Sequence, residues 1–150
     1  MHFPVIFAAF SFLTLGYSYV IDPTFLNCVR EHNKYRVYHA SPKIRYDQTL
    51  TYFALKRVKF LAITDIFAHP KNLPYGENLY QSSYATATCK DAVDLWYLDE
   101  EKKFDYDRGG FDTKTGHFTQ VVWRSTRYVG CARAKSSNTG YFYIAVSFNT

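Results

Sequence analysis

The order of secondary-structure patterns along the chain constrains its fold more than any other feature. Apolar residues recur at helical spacing from about Pro23 to Tyr38, and again after Asp47, which can cap a second helix. A third helix can start at Thr88 or Asp91. Strand-like runs follow at His117–Trp123, Tyr128–Ala134 and Tyr141–Phe148. Because helices come first and strands last, the sequence predicts an α+β fold.

The aromatic content indicates how the predicted sheet is covered. The chain has 150 residues, of which 14 are tyrosine and 13 are phenylalanine, and this length fits one compact domain. To bury so many aromatic side chains, the sheet needs helices on both faces. Trp96 and Trp123 are predicted to lie in this core.

The amino-terminal segment has the pattern of a secretory signal peptide. Phe3–Leu15 is an almost unbroken apolar run that is too short to span a bilayer, and Gly16–Ser18 supplies small residues for a signal-peptidase site. The alternative is a buried amino-terminal strand or helix. We expect residues 1–18 to be removed, leaving a secreted domain over residues 19–150, and no other segment of the sequence is apolar enough to cross a membrane.

The charge of the chain favours acidic partners without indicating a nucleic-acid site. The chain has 18 Lys and Arg against 13 Asp and Glu, a net charge of +5, and the predicted signal segment carries none of these residues. Long-range attraction to anionic lipid headgroups or sulfated glycans follows. Because the basic residues are dispersed along the chain, they favour an ordinary solvated surface over binding of nucleic acid.

Three short motifs indicate a family. Gly116–Cys131 reads GHFTQVVWRSTRYVGC, Tyr75–Tyr80 reads YGENLY and His32–Arg36 reads HNKYR. They resemble motifs of the CAP superfamily, which contains cysteine-rich secretory proteins, insect venom antigen 5 and plant pathogenesis-related protein 1. The resemblance covers about residues 25–149 and implies a three-layer α-β-α sandwich.

The resemblance also implies a central cleft with two histidines and two carboxylates. Glu77 matches the family pattern within GENLY, and His117 matches it within GHFTQ. His69 is the histidine in the loop that precedes GENLY. Alignment backwards from Phe104 selects Glu100 as the second carboxylate, and the neighbouring Asp99 and Glu101 remain alternatives.

These residue types could support metal chemistry. Two neutral imidazoles, His69 and His117, can hold a divalent metal such as zinc, with water completing the shell and carboxylates orienting the rings. Catalytic zinc sites normally have three protein ligands, so we expect weak binding. No HExxH motif or nucleophile motif is present, which excludes the standard zinc-protease pattern. In the alternative, Glu77 and His117 bond each other and only fix the loop around the sheet.

A second kind of site is suggested by Leu79–Thr88, predicted as a loop of small and aromatic residues. Similar loops in some relatives are implicated in sterol binding. Leu79, Tyr80 and Tyr84 could supply an apolar surface for such a ligand. The alternative is a surface loop that is packed by its own tyrosines.

Three cysteines, Cys28, Cys89 and Cys131, allow three pairings, and an oxidising destination favours one bridge. In many relatives the cysteine at the Cys131 position pairs with one on the last strand. Here Val146–Phe148 occupies that triplet and contains no cysteine. The resemblance therefore favours Cys28–Cys89.

The sequence thus predicts a secreted CAP protein that acts by binding a sterol or other lipid, or an extracellular partner protein. The competing hypothesis is a metal-dependent hydrolase that uses His69, Glu77, Glu100 and His117.

Overall fold

The structure is a computed structural model that describes residues 23–149, with side chains from Asn27 onward. The predicted signal peptide, residues 1–18, lies outside the described residues. None of the helices in residues 23–149 combines the length and the hydropathy that a membrane span requires.

A four-stranded sheet forms the middle layer. Its spatial order is β1-β3-β4-β2, with β1 parallel to β3 and the other pairs antiparallel. The strands are β1 (Arg45–Tyr46), β2 (Gly76–Ser82), β3 (Tyr128–Lys135) and β4 (Phe142–Asn149). The predictions for the last two strands are confirmed. β2 lies at one edge of the sheet, so one side of its backbone faces outward.

Alternation along the central strands sends neighbouring side chains into two separate cores. In β4, Ile144 and Val146 belong to one cluster of buried side chains, whereas Tyr143 and Ala145 belong to the other. This alternation follows from the pleat of a strand. The sheet is therefore buried on both faces.

One face is covered by a single long helix, α2 (Gln48–Thr64). The Asp47 side chain accepts a hydrogen bond from the Leu50 backbone N at 2.8 Å, which confirms the predicted cap. A Cβ atom on Gly130 of β3 would overlap the backbone of Thr51, so the helix packs directly on the strand backbone. The buried residues of α2 are Leu50, Ala54, Val58, Leu61 and Ala62.

The other face is covered by α1 (Pro23–Arg36), α3 (Cys89–Leu98) and α4 (Gly116–Val122). Short 3₁₀ turns follow α1 at Val37–His39 and α3 at Glu101–Lys103. Thr88 and Asp91 form a capping box at the start of α3, where the sequence placed a helix start. The prediction of a three-layer α-β-α sandwich is confirmed.

Two predictions near the carboxyl third of the chain are wrong. His117–Trp123, expected as a strand, is largely the helix α4. Helical spacing places Phe118 and Val121 on one face, where both are buried in the core, and this packing overrides the β preference of the local residues. Trp123 then lies beyond the helix and is 44% exposed, whereas Trp96 is buried as predicted.

The disulfide prediction is confirmed, because Cys28 and Cys89 are bonded and join α1 to α3. Cys131 lies buried beside them in β3, and burial raises the pKa of its thiol.

The HNKYR motif holds α1 to the loops around it. The guanidinium of Arg36 is buried and donates to the carbonyl oxygens of Pro42, Val121, Trp123 and Thr126 at 2.9–3.1 Å. Burial lowers the pKa of Arg36 to about 10. One side chain thereby fixes the carboxyl end of α4, the helix whose first turn carries His117.

Candidate functional site

Four side chains from separate parts of the chain meet near β2. His69 lies in the loop before β2, Glu77 lies in β2, Glu100 follows α3, and His117 is in the first turn of α4. His69 Nδ1 is 2.8 Å from Glu77 Oε1, and His117 Nδ1 is 2.6 Å from Glu100 Oε1. The centroids of the two imidazole rings are 6.4 Å apart. The structure therefore brings these residues together as two His–Glu pairs.

The first pair is anchored by a basic residue that the sequence did not single out. Arg57 of α2 places its Nε 3.3 Å from Glu77 Oε2, and the side chains of both residues are largely buried. The alternative in which Glu77 bonds His117 is therefore wrong, since the carboxylate lies between His69 and Arg57. No sequence pattern linked Arg57 to Glu77, because they belong to different elements that only the packing of α2 on the sheet brings together.

The second pair is anchored by the backbone of α4. While Glu100 Oε1 is bonded to His117, its Oε2 accepts from the Phe118 backbone N at 3.0 Å. Among the three neighbouring acids, Asp99 pairs with two lysines and Glu101 accepts from a tyrosine hydroxyl. Glu100 is thus the acid that reaches His117.

Two further side chains fix His117. The Asn78 side-chain amide donates to the His117 carbonyl oxygen at 3.1 Å. The ring of Trp96 stacks on the imidazole, with the ring centroids 6.1 Å apart and an angle of 11° between the ring planes. The indole Nε1 of Trp96 donates to the Leu79 carbonyl oxygen. Asn78 lies in β2 and connects that strand to α4. This hydrogen bond joins the GENLY motif, which contains Asn78, to the GHFTQ motif, which contains His117, so both motifs contribute to one site.

The hydrogen bonds decide which imidazole nitrogen is available to a ligand. An ionised carboxylate only accepts, so Nδ1 of His69 and of His117 carries the proton in each pair. The neutral ring then keeps its lone pair on Nε2. A carboxylate on the opposite ring nitrogen is the usual arrangement of a metal-ligating histidine. Both imidazoles are partly exposed, so they are accessible from solvent.

A cleft of about 470 Å³ opens over the two imidazoles. Its walls combine the polar pair His69 and His117 with apolar side chains from three segments of the chain. The apolar wall residues are Phe67, Leu79, Tyr80, Leu95 and Trp96. Phe67, Leu95 and Trp96 were not predicted as site residues. In α3 the helical spacing of the buried residues leaves Leu95 on the exposed side. This spacing could have identified Leu95 as an apolar residue outside the core, and so as a candidate for contact with a ligand.

The three residues proposed for an apolar ligand are distributed differently from the expectation. Residues Leu79–Ser82 belong to the strand β2, so the predicted loop begins only after them. Leu79 and Tyr80 both line the cleft, but the Leu79 side chain is buried with the cluster under α2. Tyr84 is 74% exposed and is not among the residues that line the cleft.

A second set of potential ligands is formed by the cysteines. The Sγ atoms of Cys28, Cys89 and Cys131 lie within 4.8 Å of one another, and within the described residues no other cluster of three or more metal-ligand side chains is as compact. Two of the three sulfurs are joined in the disulfide, so they are not thiolate ligands.

Comparison with known proteins identifies the family. The model of the cysteine-rich secretory protein family, CAP, matches residues 29–148. The Golgi-associated plant pathogenesis-related protein 1 of Homo sapiens is 34% identical over 123 residues, which covers 80% of this chain and 79% of the human protein. The chain therefore belongs to the CAP family.

Other family members are considerably longer. The protein named Repressed by EFG1 protein 1, from Candida albicans, is 38% identical over 114 residues, which covers 73% of this chain but 39% of the Candida protein.

Among solved structures, that of NaASP2 with Zn²⁺ has a TM-score of 0.66 over 85% of this chain and 82% of that chain, at 18% identity. At this identity the likeness shows the shared fold alone.

Proposed function

We propose that this protein acts by binding, and that His69 and His117 hold a divalent metal such as zinc in the cleft. The observation that carries the proposal is the pairing of each Nδ1 with a carboxylate, which leaves Nε2 of both rings as ligands. The solved structure of NaASP2 with Zn²⁺ supports it, since that protein has the same fold. With two protein ligands and water completing the shell, we expect weak, exchangeable binding.

Zinc titration of the purified protein tests this proposal. Isothermal calorimetry should show one zinc site per chain, and His69→Ala with His117→Ala should abolish it. His39→Gln is the matched control, because His39 hydrogen-bonds to the Tyr97 hydroxyl and belongs to neither of the two His–Glu pairs. Equal zinc binding by the double variant would contradict the metal site.

A lipid is the ligand that the cleft favours. Its volume lies in the usual range for small-molecule pockets, and apolar side chains surround a few polar groups. Phe67, Tyr80 and Leu95 line the cleft and can contact an apolar molecule, whereas Leu79 is buried in the core. Sterols and fatty acids are therefore the first candidates, and an extracellular protein is the alternative.

Binding of labelled cholesterol or fatty acid tests the lipid proposal. Tyr80→Ser with Leu95→Ser should lower binding, whereas Tyr84→Ser should not, because Tyr84 does not line the cleft. If Tyr84→Ser alone removes binding, the loop after β2 is the site and the cleft is not. If the wild-type protein binds neither ligand, recognition of a protein remains.

The competing activity is metal-dependent hydrolysis by the same four residues. A bound zinc ion would supply an activated water for such a reaction. A general base must accept a proton from that water, yet Glu77 is held by His69 and Arg57, and Glu100 by His117 and a backbone amide. The carboxylates therefore favour binding. Peptide or ester turnover that His117→Ala abolishes without loss of stability would contradict this conclusion.

We further propose that residues 1–18 are a cleaved signal peptide, that residues 19–150 form the mature domain, and that the protein is secreted. The Cys28–Cys89 disulfide supports an oxidising destination. Mass spectrometry of protein from the medium of a secreting host tests the proposal, and an intact Met1 would contradict cleavage.

A further inference from the structure

The outward side of α2 differs from an ordinary solvated helix face. Tyr52, Lys56, Lys59 and Ile63 follow one another at spacings of four, three and four residues, so they form one stripe opposite the buried residues. Tyr52 and Ile63 are exposed, the latter by 73%. Aromatic, aliphatic and basic side chains thus share the same exposed stripe.

Further exposed apolar side chains extend this stripe. Phe60, on its flank, is 48% exposed, and Ile66, just after the helix, is 58% exposed. We call Tyr52, Lys56, Lys59, Phe60, Ile63 and Ile66 the α2 outer surface. Exposed apolar side chains that occur singly are common, but a contiguous group indicates an interaction site.

The charge of this surface has one sign. The sequence from Gln48 to Thr64 contains no Asp or Glu. Its third basic residue, Arg57, is neutralised by Glu77, and the carboxylate of Asp65 is bonded to hydroxyl groups that include that of Tyr143. Among the ion pairs of residues 27–149, none involves Lys56 or Lys59.

Lysines of the opposite layer have different surroundings. Lys90 of α3 pairs with Asp94, and Lys102 and Lys103 both pair with Asp99. Lys56 instead lies 4.6 Å from the centroid of the Tyr52 ring, a contact that leaves its positive charge uncompensated. The α2 outer surface is therefore complementary to a partner that is both anionic and apolar.

We infer that the α2 outer surface docks onto an anionic lipid bilayer. Lys56 and Lys59 can reach lipid phosphates while their aliphatic stems lie along apolar neighbours. Phe60, Ile63 and Ile66 enter the boundary between headgroups and acyl chains. An acidic protein would satisfy the two lysines, but charge alone gives no role to the exposed isoleucines, so the bilayer is the favoured partner.

This inference goes beyond the proposed function, because it uses none of the cleft residues. The two surfaces are nevertheless neighbours. Phe67 directly follows Ile66 in the sequence and lines the cleft, so the chain runs from the α2 outer surface directly into the cleft wall.

Vesicle co-sedimentation of the wild type and its variants tests the inference. All of these proteins begin at the same residue, so that they differ only in the named substitutions. We expect the protein to sediment with phosphatidylcholine vesicles that contain phosphatidylserine, but not with phosphatidylcholine alone, and binding should weaken as salt is raised. Lys56→Glu with Lys59→Glu should lower the affinity about tenfold or more. Ile63→Ser with Ile66→Ser should lower it without any change of charge.

A charge-matched control separates this surface from the net charge. Lys43→Glu with Lys114→Glu changes two exposed lysines outside α2 and should bind vesicles almost as the wild type does. An equal loss in this control, no binding by the wild type, or full binding by the isoleucine variant would each overturn the inference. Binding to soluble polyglutamate but not to vesicles would assign the surface to an acidic protein instead.

Two checks keep these outcomes separate from other effects. Thermal melting should show that the exposed substitutions leave the fold intact. His69→Ala with His117→Ala should still bind anionic vesicles, because the cleft histidines take no part in docking. Loss of zinc or lipid binding in the cleft is therefore distinguishable from loss of membrane docking.

Discussion

Histidines occupy two regions of this molecule in contrasting ways. In α1, His32 is fully buried, and its Nδ1 lies 2.7 Å from the Cys28 carbonyl oxygen. Burial lowers the pKa of His32 to about 4. In the cleft, His69 and His117 are partly exposed and their Nδ1 atoms face carboxylates. Exposure and the chemistry of the partner, not the residue type, separate a histidine that supports the fold from one that can take a ligand.

The buried region also contains the Arg36 guanidinium with its four carbonyl partners, and its loss should have the largest effect. Arg36→Ala leaves these carbonyl groups without their donor and opens a cavity. We expect the free energy of unfolding to fall by roughly 4 kcal/mol. Denaturant titration measures this change. If Arg36→Ala lowered the free energy of unfolding no more than His69→Ala does, the contrast between the buried region and the cleft would be wrong.

The pKa of His32 should make stability depend on pH. Since its folded pKa of about 4 lies below the usual 6.5, the unfolded chain binds more protons between these values. Stability should therefore decline as pH falls from about 6.5 to 4, by about 3 kcal/mol from this group.

Denaturant titrations of the wild type and His32→Gln over this range test the pH dependence. The glutamine variant retains a donor but does not titrate, and the acids that titrate in both proteins cancel in the difference. Identical pH profiles would show that His32 is not the group responsible.

In the cleft, removal of a carboxylate should weaken metal binding instead of the fold. Glu100→Gln removes the negative charge beside His117 Nδ1, and we expect zinc affinity to fall about tenfold to a hundredfold. Glu101→Gln is the matched control, because this neighbouring acid bonds the Tyr106 hydroxyl. Calorimetric titration compares the variants, and equal losses would argue against a specific His117–Glu100 pair.

The smallest effect should come from His69→Ala on stability. Its imidazole is half exposed, and exposed ion pairs contribute little. We expect the unfolding free energy to change by less than about 1 kcal/mol. Thermal melting provides the measurement, and a loss comparable to that of Arg36→Ala would place His69 in the structural framework.

The sequence predicts best those elements whose signals are local. Asp47 caps α2 and Thr88 caps α3, and both could be identified from the residue types at the helix starts. The α4 segment could not, because its valines and phenylalanine favour a strand locally. Its helical state depends on burial of Phe118 and on the Glu100 carboxylate, which lies 18 residues earlier.

The candidate site shows the same division between local and distant information. Family motifs selected His69, Glu77, Glu100 and His117, but they did not indicate which acid bonds which histidine. That pairing depends on how β2, α3 and α4 meet in space. The role of Arg57 could not be read for a similar reason, since α2 reaches Glu77 only when it packs on the sheet.

Gly130 does not line the cleft, yet its missing side chain sets the distance between α2 and the sheet. The first turn of α2 rests on the backbone of β3 at this residue, where a Cβ atom would overlap both Leu50 and Thr51. Any larger residue would push the helix outward, and Arg57 and the loop bearing His69 would move with it. Changes at Gly130 would therefore alter the shape of the cleft indirectly, because a larger side chain would increase the separation between α2 and β3.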